Sequence, residues 1–284
     1  MAAHVLPALY ALLLWWGSTG LVLLLVRLPA RTHRATLLGA GLAGLLGLGL
    51  LAATADGTGL ADAYLAFTAG LLVWAWPEIA FLLGYVTGPN RRGCPPGTVG
   101  FRRFRLAAGT LMWHELAIVA CGVLVLAATW GEANQVGALT FLLLWVLRLS
   151  AKLNLFLGAR NPGAELLPPQ LAYLGSHFRT ARMNWLFPLS VLGAALGATW
   201  CASLAAAGET VAQAAGYTFL ATLLALAALE HALLMLPIPA STMFGAWLGG
   251  DKVPEAAPTN PKKSPPAADF PPVEIRSLAR TEAT

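Results

Sequence analysis

Long apolar runs alternate with short polar connections along the whole chain. The runs fall at roughly 5–26, 36–54, 63–87, 105–129, 136–158, 185–207 and 213–236. A helix rises about 1.5 Å per residue and needs about 20 apolar residues to cross a bilayer's hydrocarbon core. Each run therefore predicts one transmembrane helix, and the expected fold is an all-α, polytopic membrane bundle of about seven helices over 1–250. After Pro237 and Pro239, STMFGAWLGG (241–250) is too short to span and is expected to lie at the membrane surface. From 251 to 284 the chain turns to Pro, Ala and charge with little to bury, which predicts a disordered tail. The start, MAAHVLPALY, lacks the basic opening of a signal peptide, so the first run is expected to be a retained helix.

The connections sort by charge. Arg27, Arg31 and Arg34 lie between the first and second runs. Arg91, Arg92, Arg102, Arg103 and Arg105 lie between or at the edge of the third and fourth, and Arg160, Arg179 and Arg182 between the fifth and sixth. The alternate connections hold Asp56, Asp62, Glu132 and Glu209 and no Lys or Arg. Short loops rich in Lys and Arg stay cytoplasmic, so the N-terminus is expected to be periplasmic and the C-terminus cytoplasmic.

Composition agrees. Of 284 residues, 57% are hydrophobic and 11% charged, with a mean hydropathy of +0.67; soluble domains carry about 25% charged residues. In a soluble chain a pI of 9.4 would suggest nucleic acid. Here the positive charge serves topology, and the expected contact is membrane lipid. The cysteines Cys94, Cys121 and Cys201 lie in separate segments without metal or redox spacing. The basic stretch TGPNRRGCPPGTVGFRRFR (87–105) is expected to hold its arginines at the headgroups or to offer a docking surface. In 161–185, Leu171, Leu174 and Phe178 recur at helical spacing, with His177, Arg179 and Arg182 on the polar side. That pattern predicts an interfacial helix over 170–182.

Ionisable and polar residues interrupt four of the runs: Glu78 in the third, His114 and Glu115 in the fourth, Arg148, Lys152 and Asn154 in the fifth, Glu230 and His231 in the seventh. A charge at the centre of a spanning helix costs roughly 2.5–3.5 kcal/mol on insertion scales. Counted from the expected cytoplasmic ends, Glu78, His114, Lys152 and His231 share one layer about 7–14 Å deep, at about 1.5 Å per residue. Arg148 and Lys152 lie one helical turn apart on a shared face, which is expected to meet Glu78, Glu115 or Glu230 inside the bundle. Trp76-Pro77-Glu78-Ile79-Ala80 also echoes Trp113-His114-Glu115-Leu116-Ala117.

Several chemistries lack their motifs: there is no P-loop, no Gly-x-Ser-x-Gly elbow and no HExxH pair. A retinal protein needs a lysine in its last span, where this chain has His231. Imidazole from a spanning helix is a natural ligand for the magnesium of a chlorophyll, so His114 and His231 are candidate ligands for bacteriochlorophyll.

LWVLRLSAKLNLFLGARN (144–161), WHELA before it, TGPNRRGCPPG and LEHALLMLPIP together resemble the PuhE family of photosynthetic complex assembly proteins of phototrophic bacteria. The resemblance runs from about the third span to Pro239. It implies a multi-pass protein of the inner (cytoplasmic or intracytoplasmic) membrane, acting without catalysis on the assembly of the reaction centre and core light-harvesting complex. Its expected partners are subunits of those complexes or their assembly factors, and the resemblance carries over no catalytic residues. Two rival readings start from the buried Glu/His/Arg/Lys set: a proton-coupled or small-molecule carrier, and a metalloenzyme with two histidines and a carboxylate.

Overall fold

A computed structural model describes residues 2–236. Seven long helices are present: α1 Ala2–Arg27, α2 His33–Ala53, α3 Leu60–Leu82, α4 Gly100–Thr129, α5 Val136–Leu157, α6 Leu186–Ala206 and α7 Val211–Met235. All seven are long and apolar enough to cross a bilayer, and the only other regular elements among the described residues are short 3-10 turns. In hydrocarbon every backbone N–H and C=O needs an internal partner, which a helix supplies along its own length. Residues 237–284, including the surface segment and tail expected from the sequence, lie outside the described residues.

α3 is the most enclosed helix and α6 the least. Small residues let neighbours approach α3 closely. A Cβ on Gly47 of α2 would stand 2.8 Å from Ala69 O, and one on Gly70 of α3 would stand 2.7 Å from Gly137 O of α5. Tyr10, Tyr64, Phe67 and Phe219 join α1, α3 and α7; the Phe67 and Phe219 rings stack at 4.5 Å. At one end of the bundle, Asn134 before α5 donates to Thr54 O and Asp62 O, tying the α4–α5 connection to the α2–α3 connection. At the other end, Val26, Ala40, Ile79 and Leu83 bring together the end of α1, the start of α2 and the end of α3.

Two segments depart from the sequence expectation. The third span was expected to run to Thr87, but α3 ends at Leu82. Gly84 takes φ +80, and the Tyr85 and Val86 N–H groups both turn back to Ala80 O. A positive φ of this kind is where glycine ends a helix. The chain then runs along α4: Asn90 N donates to Gly109 O at 3.0 Å, Asn90 Nδ2 to Leu106 O at 2.9 Å, and His114 N to Thr87 O at 2.9 Å. The mid-helix N–H of His114 thus reaches a carbonyl of a neighbouring segment.

The second departure is in 161–185. Pro169–His177 forms a 3-10 helix, and the chain beyond Phe178 is irregular. Three residues per turn align Leu171, Leu174 and His177. Leu171 and Leu174 are buried against Phe81 at the end of α3, and His177 is buried beside them, not turned to water. The apolar side of this segment covers the bundle.

Candidate functional site

Near its C-terminal end, α3 presents Glu78 to both α4 and α5. Arg148 Nη2 donates to Glu78 Oε2 at 3.3 Å, while His114 Nε2 lies 3.6 Å from Glu78 Oε1. Beyond 3.5 Å the second contact is electrostatic, not a hydrogen bond. His114 is fully enclosed, with its ring 4.4 Å from that of Phe81. Neither of its ring nitrogens, nor Glu78 Oε1, has a hydrogen-bond partner. Arg148 keeps 46% of its side-chain surface open, so the pair is closed on the Glu78 side and open on the other.

A second pair binds α4 to α5. Lys152 Nζ donates to Glu115 Oε1 at 2.8 Å, and Trp145 Nε1 to Glu115 Oε2 at 3.1 Å. Residues 145, 148 and 152 recur at helical spacing, so all three fall on one face of α5. Glu230 on α7 is half-buried and within electrostatic reach of Arg148, but has no cation within 4 Å among the described residues. The echo of Trp76–Ala80 and Trp113–Ala117 is not a symmetric site, because the residue that approaches Glu78 is His114 while Glu115 turns to Lys152.

The expected single layer is two networks on opposite faces of α5. The second is uncharged and draws in α6, which sequence reading left out. Ser150 Oγ lies 2.8 Å from Ser190 Oγ and 3.0 Å from His231 Nε2. Asn154 Nδ2 donates to Ser190 Oγ at 3.0 Å, and Asn184 Nδ2 donates to Asn154 Oδ1 at 3.0 Å and Gly158 O at 2.8 Å. Asn184 Oδ1 also accepts from the N–H groups of Leu186 and Phe187, capping the start of α6. The signals were present: Ser150 and Asn154 are four residues apart, and Asn184 stands just ahead of an apolar run.

These contacts bear on the expected chemistry. His231 is buried; its Nδ1 bonds to Ala227 O at 2.8 Å and its Nε2 to Ser150, so no ring nitrogen is open to a magnesium. His114 has unengaged nitrogens but no surface. A macrocycle at either histidine would have to displace packed side chains, and the residues present do not fit bacteriochlorophyll. The Ser150–His231 contact is no catalytic triad, because the far nitrogen of the imidazole meets a backbone carbonyl and not a carboxylate. No group of three His, Cys, Asp or Glu side chains able to hold a metal occurs among the described residues.

Arg91, Arg92, Arg102 and Arg105 are exposed at the basic end. Arg103 departs from the expected headgroup position. Its Nη2 donates to Phe156 O at 3.0 Å and His177 O at 2.8 Å, and its guanidinium lies 4.1 Å from the centre of the Phe156 ring.

Helix number, length and intramembrane ion pairs define a polytopic α-helical membrane protein. A family model described as "Protein of unknown function (DUF3623)" matches residues 1–254, and the chain belongs to that family. It is similar to the "Uncharacterized 30.4 kDa protein in puhA 5'region" of Rhodobacter capsulatus, with 38% identity over 247 residues covering 86% of this chain and 90% of the relative. No solved structure matches.

Proposed function

We propose that this chain is a non-enzymatic membrane factor that assists or regulates assembly of the photosynthetic reaction centre and its core light-harvesting complex, the role implied by the resemblance to the PuhE family. One observation carries the reading: the relative that shares 38% identity is described by its position in the 5' region of puhA, a photosynthesis-gene context. The geometry suits a scaffold. Glu78, Arg148, Glu115 and Lys152 are engaged in holding α3, α4 and α5 together. Its partners on this reading are reaction-centre or core-antenna subunits, or other factors acting on them.

The test is deletion of the relative in Rhodobacter capsulatus and complementation with this chain. Reaction-centre and antenna levels, read by membrane absorption and subunit immunoblots, are expected to change on deletion and to recover on complementation. An unchanged phototroph would sink the proposal. We also propose that the basic end faces the cytoplasm. Cysteines placed at Arg91 and Glu132 should then label from opposite sides, Glu132 from outside.

One observation favours a second reading, a proton-coupled or small-molecule carrier. The Thr87 carbonyl reaches the His114 N–H in the middle of α4 beside the buried Glu78, and buried ionisable groups within spanning helices mark proton and ion pathways. Proton-linked uptake into proteoliposomes, abolished by Glu78→Gln, would favour the carrier over the assembly factor.

A further inference from the structure

We infer that the α3–α4 and α5–α6 connections together form a binding site for the phosphate headgroup of an anionic phospholipid. The two connections are one unit. Arg103 reaches from the start of α4 to Phe156 O and His177 O, His177 Nε2 bonds to Arg92 O at 3.1 Å, and Cys94 N donates to Ser176 Oγ at 2.8 Å. Around this unit Arg91, Arg92, Arg102, Arg105, Arg179 and Arg182 are exposed, and none has a carboxylate within 4 Å among the described residues. Arg179 also lies within electrostatic range of the half-buried Arg103. Orienting a membrane protein needs positive charge in a loop, but it does not need the loops fastened together. Positive charge gathered on fastened connections without an acidic counterpart repels itself unless an anion joins it.

The apolar residues here identify the anion's source. α4 has 30 residues, about 45 Å at 1.5 Å per residue against a hydrocarbon core of about 30 Å. Its first turns therefore stand in the headgroup layer. There Arg102 and Arg105 are spaced three apart, as are Phe101 and Phe104, whose rings lie 6.2 Å apart. Phe101 is 76% exposed, and Trp185 at the start of α6 is 68% exposed. Aromatic rings at the level of the arginines match the boundary between acyl chain and phosphate, whereas a free phosphate would leave them in water. Guanidinium groups supply the donors a phosphodiester accepts.

The full chain, stripped of lipid in detergent, is titrated with phosphatidylglycerol and separately with phosphatidylcholine, and bound lipid is counted by native mass spectrometry. Phosphatidylglycerol is expected to bind more tightly. Arg102→Gln, Arg105→Gln and Arg179→Gln combined should weaken it on the order of fivefold per arginine removed, leaving phosphatidylcholine adducts and the melting temperature unchanged. Equal binding of the two lipids, or of phosphatidylglycerol by wild type and variant, overturns the site. Displacement by millimolar inorganic phosphate reassigns it to a free anion, and displacement by a poly-glutamate peptide to an acidic protein; either overturns the lipid. Should the triple variant not fold, wild type at low and high salt decides, because phosphatidylglycerol binding that ignores ionic strength is not held by these arginines.

Discussion

Arg148 and Glu78, 70 residues apart in the chain, meet at 3.3 Å between α5 and α3, and the carboxylate's other oxygen faces the enclosed ring of His114. Each charge is tolerated at this depth because the other is there. Glu78 is buried and Arg148 half-open, so removing one partner is worse for the carboxylate than for the guanidinium.

Arg148→Leu is expected to destabilise the bundle by roughly 3 kcal/mol, the lower end for breaking a buried pair because one partner is partly open. Adding Glu78→Leu should recover part of that loss, since the stranded carboxylate is then gone. Thermal melts of the single and double variants in detergent form a double-mutant cycle. Strict additivity would mean the two side chains do not depend on each other.

The seven spans and the presence of paired charges were legible in the sequence because apolar run length and Lys/Arg placement are local properties. Pairing was less legible. Depth counted from assumed helix ends put Glu78 and His114 in one layer, although α3 ends at Leu82 and α4 starts at Gly100; the return of the chain along α4 compensates. No periodicity reports that return. His177 and Arg103 were misjudged for a related reason: charge and ring suggested water, but a 3-10 turn and two free carbonyls drew them inward.

The return along α4 depends on Gly88. A Cβ there would overlap Gly109 O, and backbone on both sides leaves nothing flexible to move. Gly88→Ala is expected to lower the melting temperature sharply and to expose 83–99 to limited proteolysis. Gly49 in α2 has nothing within 4 Å of its would-be Cβ, so Gly49→Ala should leave stability unchanged or slightly raised by better helix propensity. Equal effects at the two glycines would show that this contact is not limiting.

Asn184 donates its two amide hydrogens to Asn154 Oδ1 and Gly158 O, with Asn154 O a longer contact at 3.4 Å, and its carbonyl oxygen accepts from two N–H groups, linking α5 to the start of α6. Asn184→Ala removes a helix cap, about 1 kcal/mol, and leaves Asn154 Oδ1 without this donor, a further 1–3 kcal/mol or so. Asn184→Asp keeps the capping oxygen but loses the donors, and should fall between the two. Hydrogen exchange confined to the first turn of α6 distinguishes loss of the cap from global unfolding.

Arg103 separates charge from shape. Arg103→Lys preserves the charge count that orients the chain, so cysteine labelling should report the wild-type topology. A lysine ammonium cannot reproduce the planar fork that reaches Phe156 O and His177 O while stacking on the Phe156 ring. Two carbonyls lose a charged donor, each such bond worth roughly 1.5–3 kcal/mol, so melting and protease resistance of 161–185 should fall. If Arg103→Lys were as stable as wild type, while Arg103→Gln altered orientation, the residue would matter as a topological charge and not as the clamp between the two connections.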